Sequence, residues 1–300
     1  MRTIFLPALS SGRISSNEAM KNTENNQKIV IITGASNGMG YEAAKTFAQR
    51  GWQVYAGARR VEKIPIDEGI IPLKLDVTDS KSNQNFIQHI INHAGRIDVL
   101  INNAGYGEYG PAEEIPMENV RKQFETNFFG AVELTQLVLP IMRQQHFGRI
   151  VNISSIGGDV YMPLGAFYHA TKAAMQQWSD VLDTEVKAFG IRSIVVQPGG
   201  TASNWSTIAM ENAEKNLHPD SPYQPLVQTV RAALSGNFGS SATSADLAQV
   251  FYKAATDKKA QARYYNSFLD RMMVHTARAH PKLYIKFFNL GLKQMGKRKK

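Results

Sequence analysis

Cysteine is absent from the 300-residue chain. This absence excludes a disulfide scaffold, a cysteine nucleophile, a zinc site with thiolate ligands and an iron–sulfur cluster. It fits a reducing compartment, and we expect a cytoplasmic location. The sequence also lacks any run of about 18 apolar residues, so it predicts no membrane-spanning helix.

Acidic residues are missing from Arg271 to the C-terminus, a segment that holds nine lysines and arginines. The formal charge of the whole chain is +9, so residues 1–270 are formally neutral. A basic surface on the body of the protein is therefore not expected, and neither is nucleic acid as a partner. We expect residues 1–27, rich in Ser and Asn, to be a disordered extension. Residues 271–300 are expected to form a basic amphipathic helix and tail.

Short β-rich runs alternate with helical patterns from residue 28 onward. Several of these runs are apolar throughout, as in strands of a parallel sheet that helices cover on both faces. We predict an α/β fold: a single domain over residues 28–270 with a doubly wound parallel sheet (Rossmann fold) of about seven strands. The runs are 29–33, 53–56, 71–75, 99–101, 149–153, 191–196 and 262–265.

A glycine-rich turn follows the first predicted strand and precedes a helical pattern that begins at Tyr41. Glycines let a backbone turn sharply and approach a pyrophosphate, and the N-terminus of the helix offers unpaired N–H groups to its negative charge. The turn therefore predicts a dinucleotide site. Its contact residues are Gly34, Ser36, Asn37, Gly38, Met39 and Gly40.

The end of the second predicted strand carries Arg59 and Arg60 and no acidic residue. An acid at this position binds the ribose 2′-hydroxyl of NAD(H), whereas a cation stabilises the 2′-phosphate of NADP(H). The sequence therefore predicts NADP(H) as the cofactor, with NAD(H) as the alternative.

Tyr168 and Lys172 are four residues apart in a helical pattern, so they share one helix face. A free phenol has a pKa of about 10 and is a poor proton donor at neutral pH. A nearby ammonium and the charge of an oxidised nicotinamide would favour the phenolate and lower the pKa of the phenol. The pair predicts a proton donor for catalysis.

Five motifs, in order along residues 28–200, resemble those of the short-chain dehydrogenase/reductase family. They are Thr33-Gly34-x3-Gly38-x-Gly40, Asn102-Asn103-Ala104-Gly105, Ser155, Tyr168-x3-Lys172 and Pro198-Gly199. The resemblance implies an NADP(H)-dependent enzyme that interconverts a carbonyl and an alcohol with hydride from the cofactor. It also implies a homodimer or homotetramer, with interfaces on the helices near residues 112–145 and 166–189.

The resemblance further implies roles for single residues. Ser155 would hydrogen-bond the substrate carbonyl, with Ser154 as the alternative, and Tyr168 would donate the proton. Lys172 would hold the nicotinamide ribose, and Asn127 would hold a water that relays protons to Lys172. Cofactor contacts are implied for Asp76, Val77, Asn103, Ala104, Gly105, Tyr168, Lys172, Pro198, Gly199, Thr201 and Ser203.

Two positions depart from the family pattern. Asn37 stands where many NADP-preferring relatives have a second basic residue, which weakens the prediction of NADP(H). The loop Gly200-Thr201-Ala202-Ser203 is not the commonest version of this segment.

A substrate lid is predicted at about residues 202–240. Its apolar residues favour a hydrophobic substrate of the steroid, retinoid or fatty-acyl type, although ordinary packing of a lid would use the same residues. They are Trp205, Met210, Leu217, Tyr223, Leu226 and Phe238.

Two other functions stay open: a ketoacyl reductase acting on a carrier protein, and a non-enzymatic NADP(H) sensor. The intact set of Asn127, Ser155, Tyr168 and Lys172 argues against a sensor.

Two further patterns concern metal and membrane. His89 and His93 have the helical spacing of a zinc pair but no third ligand, so we predict a solvated helix face and no metal site. A helix from Lys282 onward would place four lysines on one face and apolar residues around much of the rest. The body of the protein, a second subunit or an anionic membrane could cover that apolar face, the last as a peripheral contact.

Overall fold

The computed structural model describes residues 27–202, 205–235 and 242–297. Within these ranges, seven parallel strands form one sheet in the order β3-β2-β1-β4-β5-β6-β9. The strands are β1 (Ile29–Thr33), β2 (Gln53–Ala58), β3 (Ile70–Lys74), β4 (Val99–Asn102), β5 (Gly148–Ile153), β6 (Ile191–Gln197) and β9 (Arg263–Tyr265); β7 (Thr201–Ala202) and β8 (Ala242–Thr243) form a separate parallel pair. The predicted doubly wound sheet is confirmed, and each of the seven apolar runs contributes a strand.

Helices cover both faces of the sheet. They are α1 (Gly38–Ala48), α2 (Ser80–Ala94), α3 (Met117–Phe124), α4 (Gly130–Gln145), α5 (Ala166–Val186), α6 (Trp205–Lys215), α7 (Gln224–Ser235), α8 (Ser244–Thr256), α9 (Phe268–Ala279) and α10 (Pro281–Lys297). One π-helical turn, Glu125–Phe129, joins α3 to α4. This helical segment therefore begins at Met117 and not near residue 112, because Pro116 precedes it.

The two faces of the sheet bury alternate residues of the same strand. Val30 and Ile32 of β1 belong to a core with Phe47, on α1. Ile31 lies in the opposite core with Leu134, on α4. All five side chains are fully buried, and each contributes about 1.5 to 3 kcal/mol by leaving water. Burial on both faces explains why the strands are apolar throughout instead of alternating.

The order of the strands reverses between β1 and β4, the two strands at the centre of the sheet. The crossovers leave these strands in opposite directions, which opens a crevice beyond their carboxyl ends. The segments that follow β1, β4, β5 and β6 therefore meet at one edge of the sheet. These segments begin with Gly34, Asn103, Ser154 and Pro198.

The predicted lid and the predicted domain boundaries can be compared with the structure. Both α6 and α7 fall in the predicted lid, while Ser203 and residues 236–240 lie outside the described ranges, as do residues 1–26. The predicted boundary between residues 270 and 271 falls inside α9. Arg278 of that helix forms an ion pair with Asp159 and donates a 2.9 Å hydrogen bond to Gln176. The helix is thereby attached to the body of the domain.

No helix in the part of the chain that the structure describes is both long and apolar enough to cross a bilayer.

A buried polar network ties α5 to the sheet beneath the crevice. Asn152 on β5 accepts a 2.9 Å hydrogen bond from Asn102 and donates to Ser179 on α5 at 3.0 Å and to Ser193 on β6 at 3.2 Å. Asn152 and Ser179 are fully buried. Buried polar groups carry a large cost when they lose their partners, so this network fixes how α5 lies on the sheet.

We expect Asn152→Ala to lower the free energy of unfolding by about 2 to 4 kcal/mol, because it leaves a cavity and buried donors without partners. Asn92→Ala, on the exposed face of α2, is the matched control and should change stability by about 0.5 kcal/mol or less. Urea unfolding of both variants measures the difference. Equal stability of the two variants would contradict the role given to the network.

Candidate active site

Close backbone contacts build the turn after β1. Gly34 has φ +70°, and a Cβ there would lie 2.9 Å from the Cα of Ala104. A Cβ on Gly40 would lie 2.5 Å from both the Gly34 carbonyl oxygen and Asn103 Nδ2. Asn103 Nδ2 in turn donates to the carbonyl oxygen of Thr33 at 2.9 Å. Only glycine fits at residues 34 and 40, and the turn lies directly against the segment that follows β4.

The first turn of α1 has the properties of an anion site. Asn37 precedes the helix in an extended conformation, and its side chain makes no capping hydrogen bond. The N–H groups of the first helical turn therefore remain available to a negative charge. Ser36, Gly38 and Met39 lie at the same turn and are partly or fully exposed. These residues fit the pyrophosphate of a dinucleotide, as the sequence predicts.

The segments after β2 and β3 leave the sheet side by side, since Leu75 N–H donates to the Ala58 carbonyl at 3.0 Å. Arg59 and Arg60 directly follow β2 and are exposed. On the neighbouring segment, Asp76 Oδ1 accepts hydrogen bonds from Thr78 N and Oγ1 at 3.1 and 2.8 Å. Val77, next to Asp76, is buried. The structure therefore brings the residues expected to bind the adenosine to one end of the crevice.

Arg59 has an electrostatic effect on the segment that follows β4. Burial and the Glu108 carboxylate raise the pKa of Tyr106 to about 12, and Arg59 opposes this shift. Tyr106 follows Gly105 in the segment after β4. Arg59 is therefore near enough to that segment to exert an electrostatic effect on it.

Ser155 and Ser154 have different partners. Ser155 Oγ accepts a 2.9 Å hydrogen bond from Gly157 N–H and donates at 3.3 Å to the Pro198 carbonyl. The Ser155 side chain also acts on Tyr168, where it favours a lower pKa of the phenol. Ser154 Oγ instead donates to the backbone carbonyl of Lys172 at 2.9 Å and is buried. The geometry favours Ser155 over Ser154 as the serine that meets a substrate.

Lys172 and Asn127 converge on Gly105. Lys172 Nζ donates to the carbonyl of Ile153, the last residue of β5, at 2.9 Å. A Cβ built on Gly105 would lie 3.6 Å from Lys172 Nζ and 3.1 Å from Asn127 Oδ1. Asn127 lies on the π-helical turn, accepts from Tyr106 N–H at 3.0 Å and donates to the Tyr106 carbonyl at 2.9 Å. Such turns often occur at functional sites because they redirect a side chain.

Burial dominates the electrostatics of the pair on α5. It raises the pKa of Tyr168 to about 12, against a smaller lowering by the side chain of Ser155. Burial also lowers the pKa of Lys172 to about 8. From the sequence we expect Lys172 and the charge of an oxidised nicotinamide together to lower the pKa of Tyr168; among the groups of the protein alone, burial outweighs the effect of Lys172. The cost of desolvating the phenolate exceeds the attraction of an ammonium 5.8 Å from the ring centroid.

An aromatic wall surrounds Tyr168. The ring centroid of Tyr168 lies 5.0 Å from that of Trp205 and 5.8 Å from that of Tyr109. Leu164 and Met210 belong to the same buried apolar cluster. The sequence indicates Trp205 and Met210 as lid residues but not Tyr109, because Tyr109 lies in a loop without periodicity. Its position four residues after Gly105 is the only signal that points to it.

His169 is a second residue that the motifs do not indicate. Its Nδ1 lies 2.7 Å from the Gly157 carbonyl, and its Nε2 accepts from Met162 N–H at 3.3 Å. Burial lowers the pKa of His169, and the neutral ring with the proton on Nδ1 satisfies both contacts. The imidazole thus holds the segment that begins with Ser155.

The loop after β6 lies against α9. The Pro198 carbonyl accepts from Ile156 N–H at 2.9 Å, and Thr201 Oγ1 donates to the Gly199 carbonyl at 3.2 Å. A Cβ on Gly199 would collide with the Asp270 carboxylate. The sequence motifs include Pro198, Gly199 and Thr201, but contact with α9 is evident only in the structure.

The two histidines with the helical spacing of a zinc pair lie on α2. The rings of His89 and His93 stack with centroids 4.1 Å apart, and His93 Nδ1 lies 2.7 Å from the His89 carbonyl oxygen. His93 is exposed and His89 is partly exposed, in agreement with a solvated helix face.

The shifted pKa of Lys172 gives the stability a defined pH dependence. In the unfolded chain the ammonium keeps its proton up to a pKa of 10.5, whereas in the folded protein it loses that proton near pH 8. Between pH 8 and pH 10.5 the unfolded state therefore binds more protons than the folded state. Lys172 thus destabilises the fold less as the pH rises. The free energy of unfolding of the wild type, relative to Lys172→Met, should increase by about 2 kcal/mol from pH 8 to pH 10. Denaturant titrations at several pH values measure this difference.

The exposed Lys187, just beyond α5, provides the control. Lys187→Met should leave the pH dependence of stability equal to that of the wild type. If the difference in free energy of unfolding between the wild type and Lys172→Met stays constant from pH 8 to pH 10, the lowered pKa of Lys172 is refuted.

Two curated relatives are similar to this chain. The probable short-chain type dehydrogenase/reductase VdlC of Helicobacter pylori is 34% identical over 238 residues, which are 79% of this chain and 87% of that protein. The 3-ketodihydrosphingosine reductase of Bacteroides thetaiotaomicron is 42% identical over 176 residues, 57% of this chain and 63% of that reductase.

Solved structures share the fold. A short-chain dehydrogenase from Streptomyces avermitilis superimposes with a TM-score of 0.73 and 29% identity, over 88% of this chain and 98% of that one. The closed form of a serine dehydrogenase complexed with NADP+ gives a TM-score of 0.69 and 25% identity over 79% and 93% of the two chains. A short-chain dehydrogenase/reductase from Burkholderia phymatum in complex with NAD gives a TM-score of 0.71 and 21% identity, over 87% of this chain and 96% of that one. At this identity the similarity is one of fold.

The family model for short chain dehydrogenases matches residues 28–214 of this chain. That range contains the glycine-rich turn, Asn127, Ser155, Tyr168 and Lys172. The chain belongs to the short-chain dehydrogenase/reductase family, whose members are oxidoreductases that use a nicotinamide dinucleotide.

Proposed function

We propose that this protein is an NADP(H)-dependent oxidoreductase that interconverts a ketone and a secondary alcohol on a long aliphatic substrate. One observation carries the proposal. Ser155, Tyr168 and the buried Lys172 lie with the glycine-rich turn at the carboxyl ends of β1, β4 and β5. A proton donor and a dinucleotide site in one crevice favour reduction or oxidation at carbon over simple dinucleotide sensing.

In the direction of reduction, Tyr168 Oη holds the proton that the carbonyl oxygen receives. Ser155 Oγ donates a hydrogen bond to the same oxygen and stabilises the negative charge that develops there. The bound dinucleotide supplies the hydride when it is reduced. In the direction of oxidation, the Tyr168 phenolate accepts the proton of the alcohol, Ser155 hydrogen-bonds the same oxygen, and the oxidised dinucleotide would accept the hydride.

Lys172 stabilises the phenolate that remains after proton transfer. Its pKa of about 8 is close to neutral pH, so the amine can release and recover a proton during turnover. Asn127 Oδ1 lies on the same side of Gly105 as Lys172 Nζ. In this proposal, Asn127 marks the route by which protons reach Lys172.

The preference for NADP(H) rests on the residues after β2. Arg59 and Arg60 provide two exposed cations at the end of the strand, and no acidic side chain follows directly. A carboxylate at this position would repel a 2′-phosphate, whereas an arginine binds phosphate oxygens through two parallel hydrogen bonds. The serine dehydrogenase complex with NADP+ is consistent with this preference, while the complex with NAD defines the alternative.

The proposed substrate class rests on the apolar surroundings of Tyr168. Tyr109, Leu164 and Met210 belong to the same buried cluster, with only 1%, 6% and 4% of their surface exposed. Apolar surroundings of the proton donor favour an aliphatic chain on the substrate. The reductase from Bacteroides thetaiotaomicron is named for a long-chain ketone, which favours an aliphatic ketone over a steroid or a retinoid.

We expect Tyr168→Phe to lower kcat by about 10² to 10⁴ with an unchanged Kd for the dinucleotide, because only the proton donor is removed. Nicotinamide absorbance with 3-ketodihydrosphingosine, a steroid ketone and a carrier-bound ketoacyl substrate measures turnover and substrate class together. Tyr252→Phe, on α8, is the control and should retain wild-type kcat. Dinucleotide binding by the wild type without turnover of any ketone or alcohol would favour a sensor and refute the proposal.

We expect Arg59→Asp to raise the Kd of NADPH by about 10- to 100-fold, because it replaces a phosphate-binding cation with a repelling charge. The Kd of NADH should change little or decrease. Lys63→Asp makes the same charge change on an exposed residue nearby and should affect NADPH much less. Fluorescence titration of both dinucleotides tests the assignment, and tighter binding of NADH than NADPH by the wild type would overturn it.

A further inference from the structure

Helices α9 and α10 expose an unusual amount of apolar surface. On α9, Phe268 and Leu269 are 77% and 64% exposed, and Met272 and Met273 are exposed too. These four residues recur with helical spacing, so they share one side of α9. The opposite side carries the buried Val274, which attaches the helix to the domain.

One face of α10 holds it to the body. Tyr284 Oη donates to the Tyr161 carbonyl at 3.0 Å and accepts from Tyr161 N–H at 3.2 Å. Phe288, one turn later, lies 6.0 Å from the Tyr161 ring. These contacts pack the side of α10 that carries Tyr284 and Phe288 against Tyr161.

The adjacent face of α10 carries an exposed apolar stripe. Leu283, Phe287 and Leu290 have i, i+4, i+7 spacing, and they are 44%, 62% and 53% exposed. Lys282 and Lys286 are exposed beside the stripe. The apolar side chains and the lysines thus form two parallel rows, an arrangement typical of helices that lie in the plane of a membrane interface.

Charge indicates what covers this surface. Asp270 is the only acidic residue after Asp257, and the sequence beyond it adds nine basic residues. A symmetric contact with a second copy would place the same basic helices against each other and cost energy by repulsion. Anionic phospholipid headgroups complement this charge, and the acyl boundary accepts the apolar stripe.

We propose that the exposed surface of α9 and α10 binds the interface of an anionic phospholipid bilayer. The surface consists of Phe268, Leu269, Met272, Met273, Lys282, Leu283, Lys286, Phe287 and Leu290. It is a peripheral contact of the exposed faces of two consecutive helices, and it does not require catalysis. Because α10 also contacts α7 of the predicted lid, the bilayer would lie next to that lid.

The test uses the full chain and sedimentation with vesicles of phosphatidylcholine alone or mixed equally with phosphatidylglycerol. We expect the wild type to bind the mixed vesicles and to bind phosphatidylcholine about tenfold more weakly or less, with the difference lost at high salt. The triple variant Leu283→Gln, Phe287→Gln, Leu290→Gln should weaken binding to the mixed vesicles by about tenfold or more. Each of these side chains is about half exposed or more, so the variant should fold.

Two controls separate the alternatives. Ile66→Gln removes an apolar side chain that is 96% exposed on the loop before β3 and should leave vesicle binding unchanged. Light scattering of the wild type and the triple variant reports self-association. The proposal is overturned if the wild type does not sediment with mixed vesicles, if the triple variant binds as the wild type does, or if the triple variant only dissociates a dimer. None of these outcomes depends on turnover, so they are independent of the proposed function.

Discussion

The hydrogen bond from Lys172 Nζ to the carbonyl of Ile153 is the contact on which the site depends. A buried ammonium needs a partner, and the last carbonyl of β5 provides one. The Asn152 network fixes α5 against β5, and the Lys172 contact then holds the amine at the carboxyl end of the strand, with Tyr168 one turn before Lys172 and Ser155 two residues beyond the strand. The catalytic side chains come together because the packing of α5 outweighs the cost of burying Lys172.

The same burial has a cost that shapes the chemistry. A proton donor with a pKa of about 12 does not ionise at neutral pH, and an amine with a pKa of about 8 is only partly stabilised as a cation. In our proposal, the positive charge of an oxidised nicotinamide would complete this balance when the cofactor is bound. Tyr168 would then hold its proton until the cofactor is present, which is how burial would serve catalysis despite its electrostatic cost.

Specificity and location involve different parts of the fold. The sheet and its glycine-rich turn are common to dinucleotide-binding domains, and they say nothing about the substrate. The aromatic wall around Tyr168 comes from the loop after β4 and from α6, which lie far apart in sequence. In our proposals, the wall selects an aliphatic ketone and the α9–α10 surface brings the enzyme to the lipid interface where such molecules reside.

The sequence by itself determined the fold class, the strands and the catalytic candidates, because these depend on local patterns: apolar runs, glycines at a turn, and a Tyr and a Lys on one helix face. Only the tertiary structure decided which of Ser154 and Ser155 faces Tyr168, since the two adjacent side chains point to different partners. It also revealed Tyr109 and His169, the contact of α9 with Gly199, and the raised pKa of Tyr168. Each of these depends on burial by residues distant in the chain, and no local spacing records how much water a folded protein excludes from a given side chain.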